Sequence, residues 1–307
     1  MLSDNIIAIV MATYNGEKYL EEQIQSIIDQ SYLDWSIFIH DDGSTDNTNT
    51  IIDSYVEKYP TKIFRVNGKS CGCARNNFFF ITENVEAEYY MYCDQDDIWL
   101  PDKIKKTYNR MKEIEDKSIP TLVYTELSVV DNNMEMIAER MSSYQNLDCN
   151  NNTLNRLLIQ NVVTGCTMMI NRSLRDIMIR YKDVQNIRMH DWWAALIASA
   201  VGKISYIDEP TILYRQHLGN SVGAQNDNNI MYQVDRIKKS ELMRKSIQST
   251  YIQARELGGV LEVDESHLIL QYANCRNMGK IKRLLFYLRN DIFKTGIARL
   301  VGQIVLG

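Results

Sequence analysis

Apolar and polar positions near the start of the chain separate cleanly into two periods. Ile6-Ile7-Ala8-Ile9-Val10-Met11-Ala12 is an unbroken apolar run, the pattern of a strand covered on both faces. Leu20, Ile24, Ile27 and Ile28 then recur at helical spacing. A second strand, Ser36 to His40, leads into Asp41-Asp42-Gly43-Ser44-Thr45-Asp46. Beyond it Ile51, Ile52, Tyr55, Val56 and Tyr59 mark one face of a helix that closes before Pro60, with Ser44 or Asp46 as its expected N-cap. Ile63 to Val66 reads as a third strand, Gly72 to Asn84 as a helix, and Tyr89 to Cys93 as a fourth strand, after which Pro101 opens another helix.

Strands alternating with helices in this way predict βαβ units and an α/β fold with a mainly parallel sheet. Beyond Pro120 the pattern loosens. Thr121 to Thr125 and Thr167 to Ile170 read as strands, and Asp148 to Thr153 as a polar loop. The segment from Met231 to Leu257 is charged and helical, and Lys280 to Leu306 carries Ile281, Leu284, Leu285, Leu288 and Ile292 on one face. The expected division is an α/β domain over residues 1–225, with a first part at 1–115 and a second at 116–225, followed by a helical C-terminal extension over 226–307.

Composition narrows the function. With 307 residues, 45% hydrophobic and 24% charged, the chain can bury a large core. Its net charge of −5 lacks the basic footprint of a nucleic-acid binder, so no nucleic-acid partner is expected. The six cysteines form no CxxC pair of zinc spacing, and reduced thiols are the simpler reading. No leader and no run of eighteen apolar residues is evident, so the expected place is the cytoplasm, in solution or on a membrane surface.

In open α/β sheets ligands bind beyond the carboxyl ends of the strands. Three polar clusters fall there: Thr13-Tyr14-Asn15-Gly16, Asp41-Asp42-Gly43-Ser44 and Asp94-Gln95-Asp96-Asp97. The third places three carboxylates within four residues, and like charges so close repel unless a cation or a proton relieves them. Oxygen ligands favour magnesium or manganese, which keep positions open for substrate phosphates. A lone DxD can equally be an acidic turn capping the helix at Pro101. The second cluster can be an Asx-turn, although one of its carboxylates could accept the N3 proton of a pyrimidine, with the Tyr14 ring as a platform.

Ala12-Thr13-Tyr14-Asn15-Gly16-Glu17, Asp41 to Asp46 and Asp94 to Asp102, in that order, resemble the inverting glycosyltransferases of family 2. The likeness extends through Val163 to Ile170, Met189-His190-Asp191-Trp192-Trp193 and Tyr214 to Ala224, and in these it is similar to bacterial rhamnosyltransferases that build cell-wall and surface polysaccharides. It covers about residues 6–224. The resemblance implies a GT-A fold: a Rossmann-like, mixed and mainly parallel sheet flanked by helices, here with the helical extension. It implies that Thr13, Tyr14, Asn15, Asp42 and Asp94 hold the nucleoside, and that Arg75 meets the diphosphate. Asp94, Asp96 and His217 would hold Mn2+ or Mg2+, although His217 could instead bond locally in a turn. Asp191 would be the catalytic base, with an N-cap role as the bland alternative, and Asp97, Trp99, His190 and Trp192 would border the acceptor or sugar. The implied donor is a dTDP- or UDP-sugar, dTDP-β-L-rhamnose in the first place. The implied acceptor is a hydroxyl of a growing or polyprenyl-diphosphate-linked glycan.

Two other classes compete. A nucleotidyltransferase also uses paired aspartates, but it needs a glycine-rich basic loop that Met11 to Gly16 lacks. A non-catalytic glycan-binding scaffold would not need Asp42, Asp94, Asp96 and Asp191 together. Between Arg276 and Gly307 seven basic residues face a single acidic one, Asp291. The helix there either lies on an anionic membrane or packs its apolar face on the catalytic domain.

Overall fold

The computed structural model describes residues 6–217 and 240–306. Among them, nine strands form one sheet in the order β3-β2-β1-β4-β8-β6-β9-β5, with β7 paired to β6. The first four strands are β1 (Ile7–Thr13), β2 (Trp35–Asp41), β3 (Ile63–Arg65) and β4 (Tyr89–Cys93), and β1 pairs in parallel with both β2 and β4. Helices α1 (Leu20–Ile28), α2 (Thr48–Lys58) and α3 (Ala74–Asn84) connect them. The apolar run of β1 is buried on both faces: Ile7, Ile9 and Met11 join the core under α1 and α2, while Ala8 and Val10 join the core on the α3 side. That two-sided burial is why the run shows no alternation.

The second half is a mixed sheet. It comprises β5 (Ile98–Trp99), β6 (Thr121–Val130), β7 (Met136–Ala138), β8 (Met169–Asn171) and β9 (Lys203–Arg215). Strand β8 lies antiparallel between β4 and β6, and β6 runs parallel to β9. The intervening helices are α4 (Lys103–Ile114), α5 (Met141–Tyr144), α6 (Leu154–Leu157), α7 (Arg172–Met178) and α8 (His190–Val201). Strand β6 continues five residues beyond the expected Thr125, and the fourth helix starts at Lys103, not Pro101. The expected caps at Ser44 and Asp46 are also adjusted. Asn47 occupies the cap position of α2, while the Asp46 carboxylate accepts the Thr48 N–H at 3.1 Å and the Ser44 N–H donates back to Asp41 at 2.8 Å.

The C-terminal helices are α9 (Ser240–Val260), α10 (Leu268–Asn274), α11 (Lys280–Asn290) and α12 (Ile297–Leu306). Residues 218–239, which include the expected Gly219-Asn220 turn and the start of the Met231 helix, lie outside the described residues. Ile247, Tyr251, Leu257, Tyr272 and Tyr287 share one core with Trp192, Trp193 and Phe78. The tail is not one continuous amphipathic helix: it breaks at Asp291, whose φ of 52° is left-handed. Ile292 is buried, but Ile281, Leu285 and Leu288 are exposed. Among the described residues no helix is long and apolar enough to cross a membrane.

Candidate active site

Strand register decides what meets at the carboxyl edge. Thr13 pairs with Asp41 and Met11 with Cys93, so the chain leaves the sheet at Tyr14, Asp42 and Asp94 on neighbouring strands. The loops are then stitched together by hydrogen bonds. Tyr14 donates its N–H to Gln95 Oε1 at 2.8 Å, and Gln95 Nε2 donates to the Tyr14 carbonyl at 2.9 Å. A side chain at Gly16 would put its Cβ 2.3 Å from Gln95 Oε1, so glycine there makes room for the clasp. Asn15, held at φ 47°, donates to Ser44 Oγ at 2.8 Å and accepts from the Thr45 N–H at 2.9 Å. The Thr13 hydroxyl bonds Asp41 Oδ1 at 3.0 Å. The Tyr14 ring, 56% exposed, stands at the rim.

Asp42 organises the next loop. Its Oδ1 accepts from Ser70 Oγ at 2.9 Å, from the Gly72 N–H at 3.0 Å and from the Cys71 N–H. Among the described residues no hydrogen bond engages its Oδ2. Arg75, in the first turn of α3, donates Nη1 to the Ile187 carbonyl at 2.6 Å. It thereby fixes the segment that enters α8.

The acidic cluster is crowded and buried. Asp96 Oδ2 lies 2.7 Å from His217 Nε2, and its carbonyl accepts from Arg215 Nε at 3.0 Å. Asp97 is wholly buried; its Oδ1 takes the Arg215 N–H at 3.1 Å, and the Cys166 thiol neighbours its carboxylate. Burial, reinforced by the Asp96 and Asp191 carboxylates, pushes Asp94 up to about 7. Burial, then Asp96 and Asp94, raise Asp97 well above the carboxylate range. Carboxylates in this state are relieved by a cation or by protons.

Asp191 neighbours the cluster through the Gly165-Cys166 turn: a Cβ on Gly165 would stand 3.7 Å from Asp191 Cβ, while Cys166 lies within 4.8 Å of Asp94 and Asp97. It sits in the first turn of α8, after the cap position at Met189, and its Oδ1 accepts the Trp192 N–H at 2.5 Å. Burial raises it to about 7, against the lowering pull of the Trp192 and Gly165 N–H groups and the Asn161 amide. A carboxyl poised near neutrality suits a general base.

Three residues expected at the acceptor, Trp99, His190 and Trp192, are buried. Trp99 is 2% exposed and packs under Lys103, whose Nζ lies 4.7 Å from the ring centroid. His190 is buried between Phe78 and Tyr92, at 4.3 and 5.0 Å between ring centroids, and among the described residues neither ring nitrogen has a partner. Burial drives it down to about 3, so it stays neutral. Trp192 donates Nε1 to the Leu157 carbonyl at 2.6 Å and is covered by the Arg188 guanidinium.

Sequence reasoning passed over Gln95 and Cys166. Gln95 was visible inside the acidic cluster, but its clasp depends on a loop eighty-one residues away. Cys166, on a 3-10 turn at Gly165–Thr167, approaches Asp94 and Asp97. One ligand atom from each of these three residues lies within 4.8 Å of the others. The crevice therefore offers two overlapping donor groups for a divalent ion, Asp94-Asp97-Cys166 and the Asp96–His217 pair beside Asp94.

A half-parallel, half-mixed sheet that gathers acidic residues beyond the carboxyl ends of β2 and β4 has the architecture of a glycosyltransferase of the GT-A fold. The model of the family "Glycosyl transferase family 2" matches residues 8–177, and the chain belongs to that family. It is 37% identical over 226 residues to the dTDP-rhamnosyl transferase RfbG of Shigella flexneri, covering 70% of this chain and 74% of that one. It spans half the length of an uncharacterized glycosyltransferase of Rickettsia typhi, at 28% identity and 54% of this chain. Among solved structures, Staphylococcus aureus TarS 1-349 in complex with UDP aligns over 93% of this chain and 88% of its own, with TM-score 0.54 and 17% identity. The Pyrobaculum calidifontis mannosyltransferase PcManGT, in complex with GDP-Man and Mn2+, gives 0.51 and 13% over 92% of this chain and 73% of its own. At such identities the likeness is one of fold.

Proposed function

We propose that the protein is an inverting rhamnosyltransferase that uses dTDP-β-L-rhamnose and forms an α-rhamnoside on a hydroxyl of a surface glycan. The observation that carries this reading is the meeting of Asp191 with the acidic cluster. Asp191 stands on α8 and the nucleotide-side carboxylates at the ends of β2 and β4, and the Gly165-Cys166 turn, which adjoins both Asp191 and the Asp94–Asp97 group, supports their acting together. The similarity to RfbG supports the donor sugar.

In this reading residues 1–115 bind the nucleotide, with Tyr14 leaning on the base and Asp42 Oδ2 accepting the N3 proton. Arg75 lies at the diphosphate end. Asp94, Asp96 and His217 are the better cation donors for Mg2+ or Mn2+, because burial and the neighbouring carboxylates push the Cys166 thiol up and keep it protonated. The ion supplies positive charge against the departing diphosphate. Asp191 takes the proton of the acceptor hydroxyl as that oxygen attacks the anomeric carbon opposite the diphosphate. Residues 116–225 shape the acceptor side. Residues 226–307 form the extension, whose 276–307 part rests on the membrane that carries a polyprenyl-diphosphate-linked acceptor.

The test is a panel of dTDP-, UDP- and GDP-sugars with Mn2+, Mg2+ or EDTA, following nucleoside diphosphate release. Release from dTDP-rhamnose in preference to the others supports the reading. Release from a UDP- or GDP-sugar alone would replace the donor, and no release from any would favour a binding subunit.

A further inference from the structure

The C-terminal helices border an open cavity of about 360 Å3 that includes none of the acidic-cluster residues described above. Arg244, Gln248 and Tyr251 of α9, Arg276 of the turn after α10, and Lys280 and Arg283 of α11 line it, and among the described residues no carboxylate does. Two of the four cations are placed by backbone carbonyls: Lys280 Nζ donates to Val305 at 3.2 Å, and Arg283 Nη1 to Met278 at 3.3 Å. Arg244 and Arg276 have no ion-pair partner among the described residues. Four cations gathered from three elements, in a chain of net charge −5, raise the positive potential at this opening and favour an anion there. Arginine forks and a lysine ammonium are the groups that grip phosphoryl oxygens.

What surrounds the opening says where that anion comes from. Helix α11 exposes Ile281, Leu285 and Leu288, and α12 exposes Ile297, Val301 and Val305, two apolar stripes at helical spacing. Val305 also lines the cavity, so the cationic opening and the apolar surface are continuous. Lys282 and Arg289 stand beside the α11 stripe. Apolar side chains bordered by basic ones match the acyl boundary and the phosphates of an anionic leaflet.

We propose that this cavity is a second anion site, separate from the nucleotide crevice, which takes the terminal phosphate of a membrane lipid while the α11 and α12 stripes rest in the bilayer interface. It deepens the membrane contact assigned above to residues 276–307 and rests on it. The shared chemistry is a phosphate monoester, and free phosphate is the other source.

The experiment is co-sedimentation of the full chain with phosphatidylcholine vesicles containing phosphatidic acid or phosphatidylserine, matched for surface charge. The expected result is a preference for phosphatidic acid of about tenfold, the worth of one charge-assisted hydrogen bond. The double variant Arg244→Gln/Arg276→Gln should lose that preference. Lys282→Gln/Arg289→Gln should weaken binding to both vesicles and keep it, and Leu285→Gln/Val301→Gln should do the same. Equal melting temperatures would show that the exposed substitutions leave the fold intact. The proposal falls if the wild-type chain shows no preference, or if the two basic pairs alter the ratio equally. It also falls if inorganic phosphate binds in a manner sensitive to Arg244 and Arg276 while vesicles do not, because the source is then soluble. Nucleoside diphosphate release read in the same samples keeps the two ideas apart. Its absence with selective vesicle binding intact would strike the transferase reading alone.

Discussion

Asp191→Asn separates what the base does for chemistry from what it costs the fold. In the folded protein burial raises this carboxyl from its ordinary 3.8 to about 7. A folded pKa above the unfolded one means that folding is penalised wherever the unfolded chain would be ionised. The penalty is absent below pH 3.8, grows as pH rises, and levels off above pH 7. Its size is roughly 2 kcal/mol at pH 5 and roughly 4 kcal/mol at pH 8. Asparagine keeps an oxygen for the Trp192 N–H and removes the charge, and the charge lost at Asp191 also relieves Asp94. The stability difference between variant and wild type should therefore shift in the variant's favour by about 2 kcal/mol from pH 5 to pH 8. Urea unfolding in EDTA at the two pH values measures it, and comparing the shift, not either value alone, cancels the pH-independent effect of the new amide. Transfer should be lost while donor binding remains. A difference that does not change with pH, or that moves against the variant at pH 8, would refute the account of Asp191 as a charge held out of water for its function.

Three further outcomes follow from the site. His190→Phe should keep transfer activity and gain about 1–3 kcal/mol, since it removes two buried ring nitrogens that lack partners; loss of activity without loss of stability would return His190 to the acceptor. Gly165→Ala would set a Cβ 2.7 Å from His190 Nε2, so it should destabilise by roughly 1–3 kcal/mol and disturb the adjacent Asp191, seen as a lower melting temperature together with a lower kcat. Asp96→Asn should reduce kcat by about 10²–10³-fold and weaken the response to Mn2+ in a metal titration, whereas Cys166→Ser should leave that response nearly intact.

The parallel half of the fold was legible because its signals are local. A doubly buried strand needs an apolar run, and β1 and β4 supply one, with the polar clusters following directly. The mixed half was legible in part: β6 and β8 fall where apolar runs read as strands, but β9 carries Asp208, Glu209 and Pro210 in its interior, where its register against β6 shifts, and shows no such run. The acidic cluster and Asp191 could be read one by one from their motifs. Their meeting is set by β8 and α8, whose placement no local pattern encodes. Trp99, His190 and Trp192 show how little a motif says of burial: all three rings stand beside polar motif residues, and all three are buried. In the tail the apolar spacing was plain, but spacing alone does not say whether Ile281, Leu285 and Leu288 turn inward or out.

The central claim is that carboxylates on separate strands and on α8 act together on one nucleotide sugar. Its most direct test is the anomeric configuration of the first product formed from dTDP-β-L-rhamnose and a glycan acceptor, read by NMR, with wild type and Asp191→Asn side by side. The account predicts an α-rhamnoside from the wild type and none from the variant. A β-linked product, or equal transfer by the variant, would contradict it.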